Sequence, residues 1–134
     1  MNKLNRKLEY SLMALKHMSQ KRPGELSTAK EIAESYSAPF DATARVMQLM
    51  AQSGLLRSEQ GANGGYQITK DLSRTTLQEL MDVIQGPTKI ARCMHKQEPC
   101  DLKSSCNIIS PINNLNQKLN QFYQGLTLRD LLMK

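Results

Sequence analysis

Leu4, Leu8, Leu12, Leu15 and Met18 recur at helical spacing, which predicts an amphipathic helix over residues 3–20. Lys3, Arg6, Lys7 and Lys16 fall mainly on its other faces. The segment KRPGE, residues 21–25, ends the pattern with a Pro-Gly turn signal. Thr28-Ala-Lys-Glu31 has the form of a capping box, in which hydroxyl and carboxylate satisfy each other's free backbone donors. A short helix through Ile32, Ala33 and Tyr36 should follow. After SAPFD, Asp41 is the expected N-cap of another helix, closed by Gly54. Ala44, Met47, Met50 and Ala51 are expected to face inward there, with Thr43, Arg45 and Gln48 outward.

Beyond that helix, the stretch LLRSEQGANGGYQIT (55–69) reads as two extended runs around a glycine-rich turn, a two-stranded hairpin. Glycines 61, 64 and 65 permit positive φ and close backbone approach. Thr76-Leu-Gln-Glu79 is a second capping box ahead of Leu80, Val83 and Ile84, and Gly86-Pro87 stops that helix. Ile108, Ile112, Leu115, Leu119 and Phe122 are spaced four, three, four, three, an a/d seam on an otherwise Asn-, Gln- and Lys-rich helix. Ser110 and Pro111 suit its N-cap and first turn. So narrow a seam can pack within its own domain or pair with its twin, and dimerisation is the expected use. Thr127-x-x-Asp130 caps a short terminal helix that should dock on the body.

Two short helices joined by a tight turn, the second with small and polar outer residues, meet the demands of a helix-turn-helix. Its second helix must enter a major groove about 12 Å wide. A hairpin immediately afterwards makes a wing. The expected fold is therefore mainly α: a winged helix-turn-helix with a two-stranded wing over 1–86, a loop over 87–107, and a long dimerisation helix plus docking helix over 108–134.

Composition sharpens this reading. The 134 residues are 40% hydrophobic and 22% charged, and with no Trp and eight Met the core must be aliphatic and thioether. Net charge is +6, shared evenly by the two halves, which suits a polyanionic partner such as double-stranded DNA. Thr43, Arg45 and Gln48 would read base edges. Lys3, Arg6, Lys7 and Arg57, with the wing backbone at Gly64, would anchor phosphates. No apolar run approaches a membrane span or signal peptide, so a cytoplasmic protein without membrane contact is expected. No nucleophile–base pairing, phosphate loop or paired-carboxylate site marks an enzyme.

All three cysteines lie within CMHKQEPCDLKSSC, residues 93–106. An odd, local set argues against a disulfide framework. The gaps Cys93-x6-Cys100-x5-Cys106 are longer than the knuckles usual for structural zinc. They are natural for an iron–sulfur cluster, whose ligands spread over two or more irons. A thiol redox switch is the remaining reading.

The opening LNRKLEYSLMALKHM, the glycine wing SGLLRSEQGANGGY, TTLQELMDVIQGP, the spaced cysteines and the closing LTLRDLL appear in one order. In that order the chain resembles the bacterial iron–sulfur cluster winged-helix transcription regulators of the IscR and NsrR type, over almost its whole length. The resemblance implies a homodimer on a palindromic operator, with one 2Fe–2S or 4Fe–4S cluster per subunit whose loss or modification changes DNA affinity. It matches Cys93, Cys100 and Cys106 to the family's three thiolate ligands. Where IscR-like members place a histidine after the last cysteine, this chain has Ile109. Glu9 matches the first-helix carboxylate that NsrR-like members contribute from the partner subunit, while His95 and a solvent or small-thiol ligand are the other candidates. The family's usual Arg-Gly at the wing turn is Gln60-Gly61 here, leaving Arg57 to compensate. Other readings are a cluster-free winged-helix regulator using thiol oxidation and a small iron–sulfur protein that does not bind DNA.

Overall fold

The structure, a computed structural model, describes residues 4–87, 89–91, 94 and 100–133. Helix α1 runs Arg6–Ser19, α2 Ala29–Tyr36, α3 Phe40–Gln52, α4 Leu77–Ile84, α5 Ile109–Gln124 and α6 Leu128–Leu132, with strands β1 Leu56–Glu59 and β2 Gly65–Ile68 between α3 and α4. The mainly helical chain with its two-stranded wing is the fold read from the sequence.

Helix α1 starts two to three residues later than its apolar stripe suggests. The Asn5 side chain accepts the Leu8 N–H at 2.9 Å and caps it, leaving Leu4 outside and exposed. Leu8, Ala14, Leu15 and Met18 are buried, and so is Ser11, whose hydroxyl donates to the Lys7 carbonyl at 2.9 Å. Helices α2 and α3 pack on each other and α3 on α1. Ile32, Val46, Met47, Met50, Leu55, Leu56, Leu77, Leu80, Met81 and Ile84 complete the core around Leu8 and Leu15.

Two N-termini depart from expectation. The Thr28 hydroxyl accepts the Glu31 N–H at 3.0 Å, but the Glu31 carboxylate does not turn back to close the box; it reaches α1 instead. For α3 the cap position belongs to Pro39 and not to Asp41, which lies inside the first turn. At Thr76 the reciprocal box is complete, with both bonds at 3.2 Å.

The hairpin is antiparallel with Leu56 opposite Ile68 and Arg57 opposite Gln67. A third short segment joins it: Ser27 exchanges both backbone hydrogen bonds with Tyr66, at 2.8 and 2.9 Å, tying the wing to the start of α2. Gly61 and Gly65 have φ of +111° and +152°. Gly64 is needed for space, because a Cβ there would lie 2.2 Å from the Glu59 carbonyl oxygen.

Helix α5 packs along α4, yet none of its residues is fully buried. It begins at Ile109 with Ile108 at the cap position, so Ser110 is its second residue instead of the cap, while Pro111 lies in the first turn as expected. Proline is tolerated there because first-turn N–H groups lack intrahelical partners. The seam splits. Ile112 and Leu119 are half-buried, while Ile108, Leu115 and Phe122, one heptad apart, are 51%, 47% and 64% exposed. Helix α6, capped by the Thr127 hydroxyl on the Asp130 N–H at 3.0 Å, buries Leu128 and Leu132 in the main core. Two backbone bonds of 2.8 Å, Leu77 N–H to Leu126 and Leu128 N–H to Thr75, fix it beside α4.

Candidate nucleic-acid interface and cluster ligands

The outer face of α3 is set by what the inner face buries. Thr43, Val46, Met47 and Met50 point into the core. The residues opposite them, Asp41, Arg45, Gln48 and Gln52, are all exposed. Thr43 therefore contradicts the outward placement expected for it. It is 0% exposed, and its hydroxyl donates to the Pro39 carbonyl at 2.8 Å, which satisfies the polar group inside the core. It cannot face a groove. Arg45 and Gln48 stand where expected.

Arg57 is exposed on β1, the strand that follows α3 through Ser53, Gly54 and Leu55. Gly64 lies at the wing tip beside Gly65, where the missing side chain leaves the backbone close to Glu59. Arg6 and Lys7 are exposed in the first turn of α1, and Arg6 holds Glu9 at 3.3 Å. Lys3 lies outside the described residues.

Of the candidate metal ligands, Cys93 and His95 also lie outside the described residues. Cys100 and Cys106 are free, half-buried thiols at the ends of a turn whose residues 101–105 are all exposed. Two backbone bonds, Lys103 N–H to Cys100 at 3.3 Å and Ser105 N–H to Leu102 at 3.0 Å, shape that turn. Among the described residues no three His, Cys, Asp or Glu side chains gather as a metal site. The donor chemistry still fits an iron–sulfur cluster: two thiols free of any disulfide flank a segment with little apolar surface to order it. Glu9 offers a carboxylate with 42% side-chain exposure, held by a weak surface pair with Arg6. Among the described residues no helix is long and apolar enough to cross a membrane.

Sequence reasoning did not single out the contact set joining α1 to the helix-turn-helix. His17 Nε2 meets Glu31 Oε2, His17 Nδ1 meets the Tyr36 hydroxyl at 2.6 Å, and Lys21 Nζ lies 2.9 Å from Glu31. Partial burial pushes the Glu31 carboxyl up, but hydrogen bonds from His17 and Lys21, with their charges, outweigh it and hold it below the ordinary glutamate value. The Glu31 hydrogen bond in turn holds the Lys21 ammonium above its usual range.

The chain is 29% identical over 136 residues to the HTH-type transcriptional regulator NsrR of Bacillus subtilis, covering 96% of this chain and 89% of that one. It is 30% identical over 111 residues to protein aau3 of Rhizobium meliloti, covering 80% and 70%. Among solved structures, CymR, the global cysteine regulator of B. subtilis, superposes with a TM-score of 0.72 at 20% identity, covering 99% of this chain and 98% of that one. T. potens IscR gives 0.70 at 19% identity, covering 98% and 86%. At these identities the structural likeness shows the fold. The Rrf2 family, described as iron-dependent transcriptional regulators, matches residues 4–134, and the chain belongs to it.

Proposed function

We propose that this transcriptional regulator acts as a homodimeric repressor whose grip on a palindromic operator is set by an iron–sulfur cluster. The observation that carries the DNA-binding part is the α3 outer face, where Arg45 and Gln48 stand exposed beside a hairpin bearing Arg57. Arg45 reads guanine and Gln48 adenine through bidentate contacts in the major groove. Arg57, Arg6, Lys7 and Lys3, with the wing backbone at Gly64, hold phosphates and set the salt dependence.

Cys93, Cys100 and Cys106 would hold the cluster, one 2Fe–2S or 4Fe–4S centre per subunit. Glu9 of the partner subunit is the proposed fourth ligand; His95, or a solvent or small-thiol ligand, are the alternatives. The bound group would supply a rigid anchor sensitive to nitric oxide, oxygen or iron supply. Glu9 gives a carboxylate, a harder and more weakly held ligand than thiolate, so it is the proposed point of release. The exposed Ile108, Leu115 and Phe122 row is the proposed dimer seam, which fixes the spacing of two α3 helices near one DNA turn. The family description as iron-dependent supports this reading.

A second reading, a cluster-free regulator responding to thiol oxidation, is favoured by the two half-buried free thiols. Anaerobic purification with iron and sulfide analysis separates the two. Coloured protein with acid-labile sulfide supports the cluster; colourless, iron-free protein that binds DNA according to thiol state supports the second reading.

A further inference from the structure

The start of α3 leaves one acidic side chain on the face offered to DNA. Pro39 occupies the N-cap position with φ −62° and ψ 131°, which releases Asp41 from capping. Asp41 becomes the second helical residue and is exposed, and among the described residues no ion pair engages its carboxylate. Arg45 follows at i+4 on the same face, about 6 Å along the helix. These two are the only charged residues in the sequence of α3, so the helix carries no net charge. Its side chains therefore add no net charge to attract phosphates.

A carboxylate brought into a major groove needs a donor opposite it. Guanine presents two acceptors there, and thymine an acceptor and a methyl group. Adenine sets its amine beside the N7 acceptor, and cytosine alone presents a donor with no acceptor next to it. The same carboxylate penalises the wrong bases, which would leave it desolvated and unpaired. We propose that Asp41 is a base-specificity residue that accepts from the exocyclic amine of cytosine, near the guanine read by Arg45. The N-terminal residues of a recognition helix are those that reach base edges, and Asp41 is among them. The assignment rests on α3 being the recognition helix.

The test is selection of duplexes from a random pool by the full-length, anaerobically purified protein and by its Asp41→Asn and Asp41→Ala variants. The wild type should favour cytosine at one position of each half-site by roughly ten-fold or more. Asp41→Asn should shift that position to adenine, which an amide pairs through N6 and N7. Asp41→Ala should lose preference there alone and bind unrelated duplex more tightly, having lost a negative charge. Both substitutions fall on an exposed side chain, and far-UV circular dichroism verifies folding. If wild type selects a site and both variants select the same bases with unchanged discrimination, Asp41 does not read a base. If wild type selects no site, the recognition role of α3 falls, and the Asp41 assignment with it.

Discussion

His17 on α1 and Glu31 on α2 face each other at 2.5 Å, and this contact joins the first helix to the helix-turn-helix. Glu31 could have closed its own capping box, but its carboxylate binds His17 and Lys21 while Thr28 caps alone. Tyr36, stacked edge-on against His17 at 5.4 Å, extends the contact to the far end of α2. Because the Glu31 carboxyl is held below its ordinary value, its contribution to stability is present above that value, near 4.5, and is lost as pH falls through the lowered one. Glu31→Gln should therefore lower stability near neutral pH, by about 1 kcal/mol or less for so partly exposed a group. The difference from wild type should shrink at acid pH as the carboxyl becomes protonated. Urea melts at the two pH values check this.

The wing turn gives a steric prediction. Gly64→Ala would place a methyl group 2.2 Å from a backbone oxygen, so the turn must open. We expect a loss of about 1–3 kcal/mol. At Gly61 an added Cβ meets nothing within 4 Å among the described residues, so Gly61→Ala should cost only the backbone strain of its positive φ, about 1–2 kcal/mol. Thermal melts of the two variants, with DNA titrations beside them, check the order.

Side chains assigned to bases and to phosphates should separate by salt. Arg45→Ala should weaken the selected site by about 1–3 kcal/mol and relax one base pair. Lys7→Ala or Arg57→Ala should weaken all duplexes alike and reduce the slope of log K against log salt by about one. Fluorescence anisotropy over a series of salt concentrations distinguishes them.

Leu115→Asp and Phe122→Asp should convert the proposed dimer to a monomer without unfolding it, since both side chains are exposed within the chain itself. Sedimentation velocity reads the assembly and circular dichroism the helices. A variant that stays dimeric would place the seam elsewhere.

Glu9→Ala should hasten bleaching of the proposed cluster's visible absorbance. It should leave the metal-free chain within about 0.5 kcal/mol of wild type, because the Arg6–Glu9 pair is exposed. Unchanged bleaching would remove Glu9 from the ligand set.

Periodicity made the helices legible, and the glycine turn made the wing legible, because both patterns follow from which faces must be dry. Legibility failed where a small hydroxyl could satisfy itself. Thr43 and Ser11 return a hydrogen bond to the carbonyl four residues earlier and so enter the core at little cost, a choice the residue type does not reveal. Asp41 looked like a cap because aspartate is a good one; Pro39 took the place, its fixed φ meeting the geometry without a side-chain bond. The His17–Glu31 contact spans a turn, and only the folded chain brings its two residues together. For the proposed ligands, spacing pointed to the chemistry of Cys100 and Cys106, and Cys93 and His95 lie outside the described residues.

The most direct measurement titrates one selected operator duplex with the protein in two forms, reconstituted anaerobically with iron and sulfide, and freed of metal with its thiols kept reduced. The loaded protein should bind the operator at least about ten-fold more tightly, with unrelated duplex much less affected. Equal affinity of the two forms for the operator would contradict cluster control of binding.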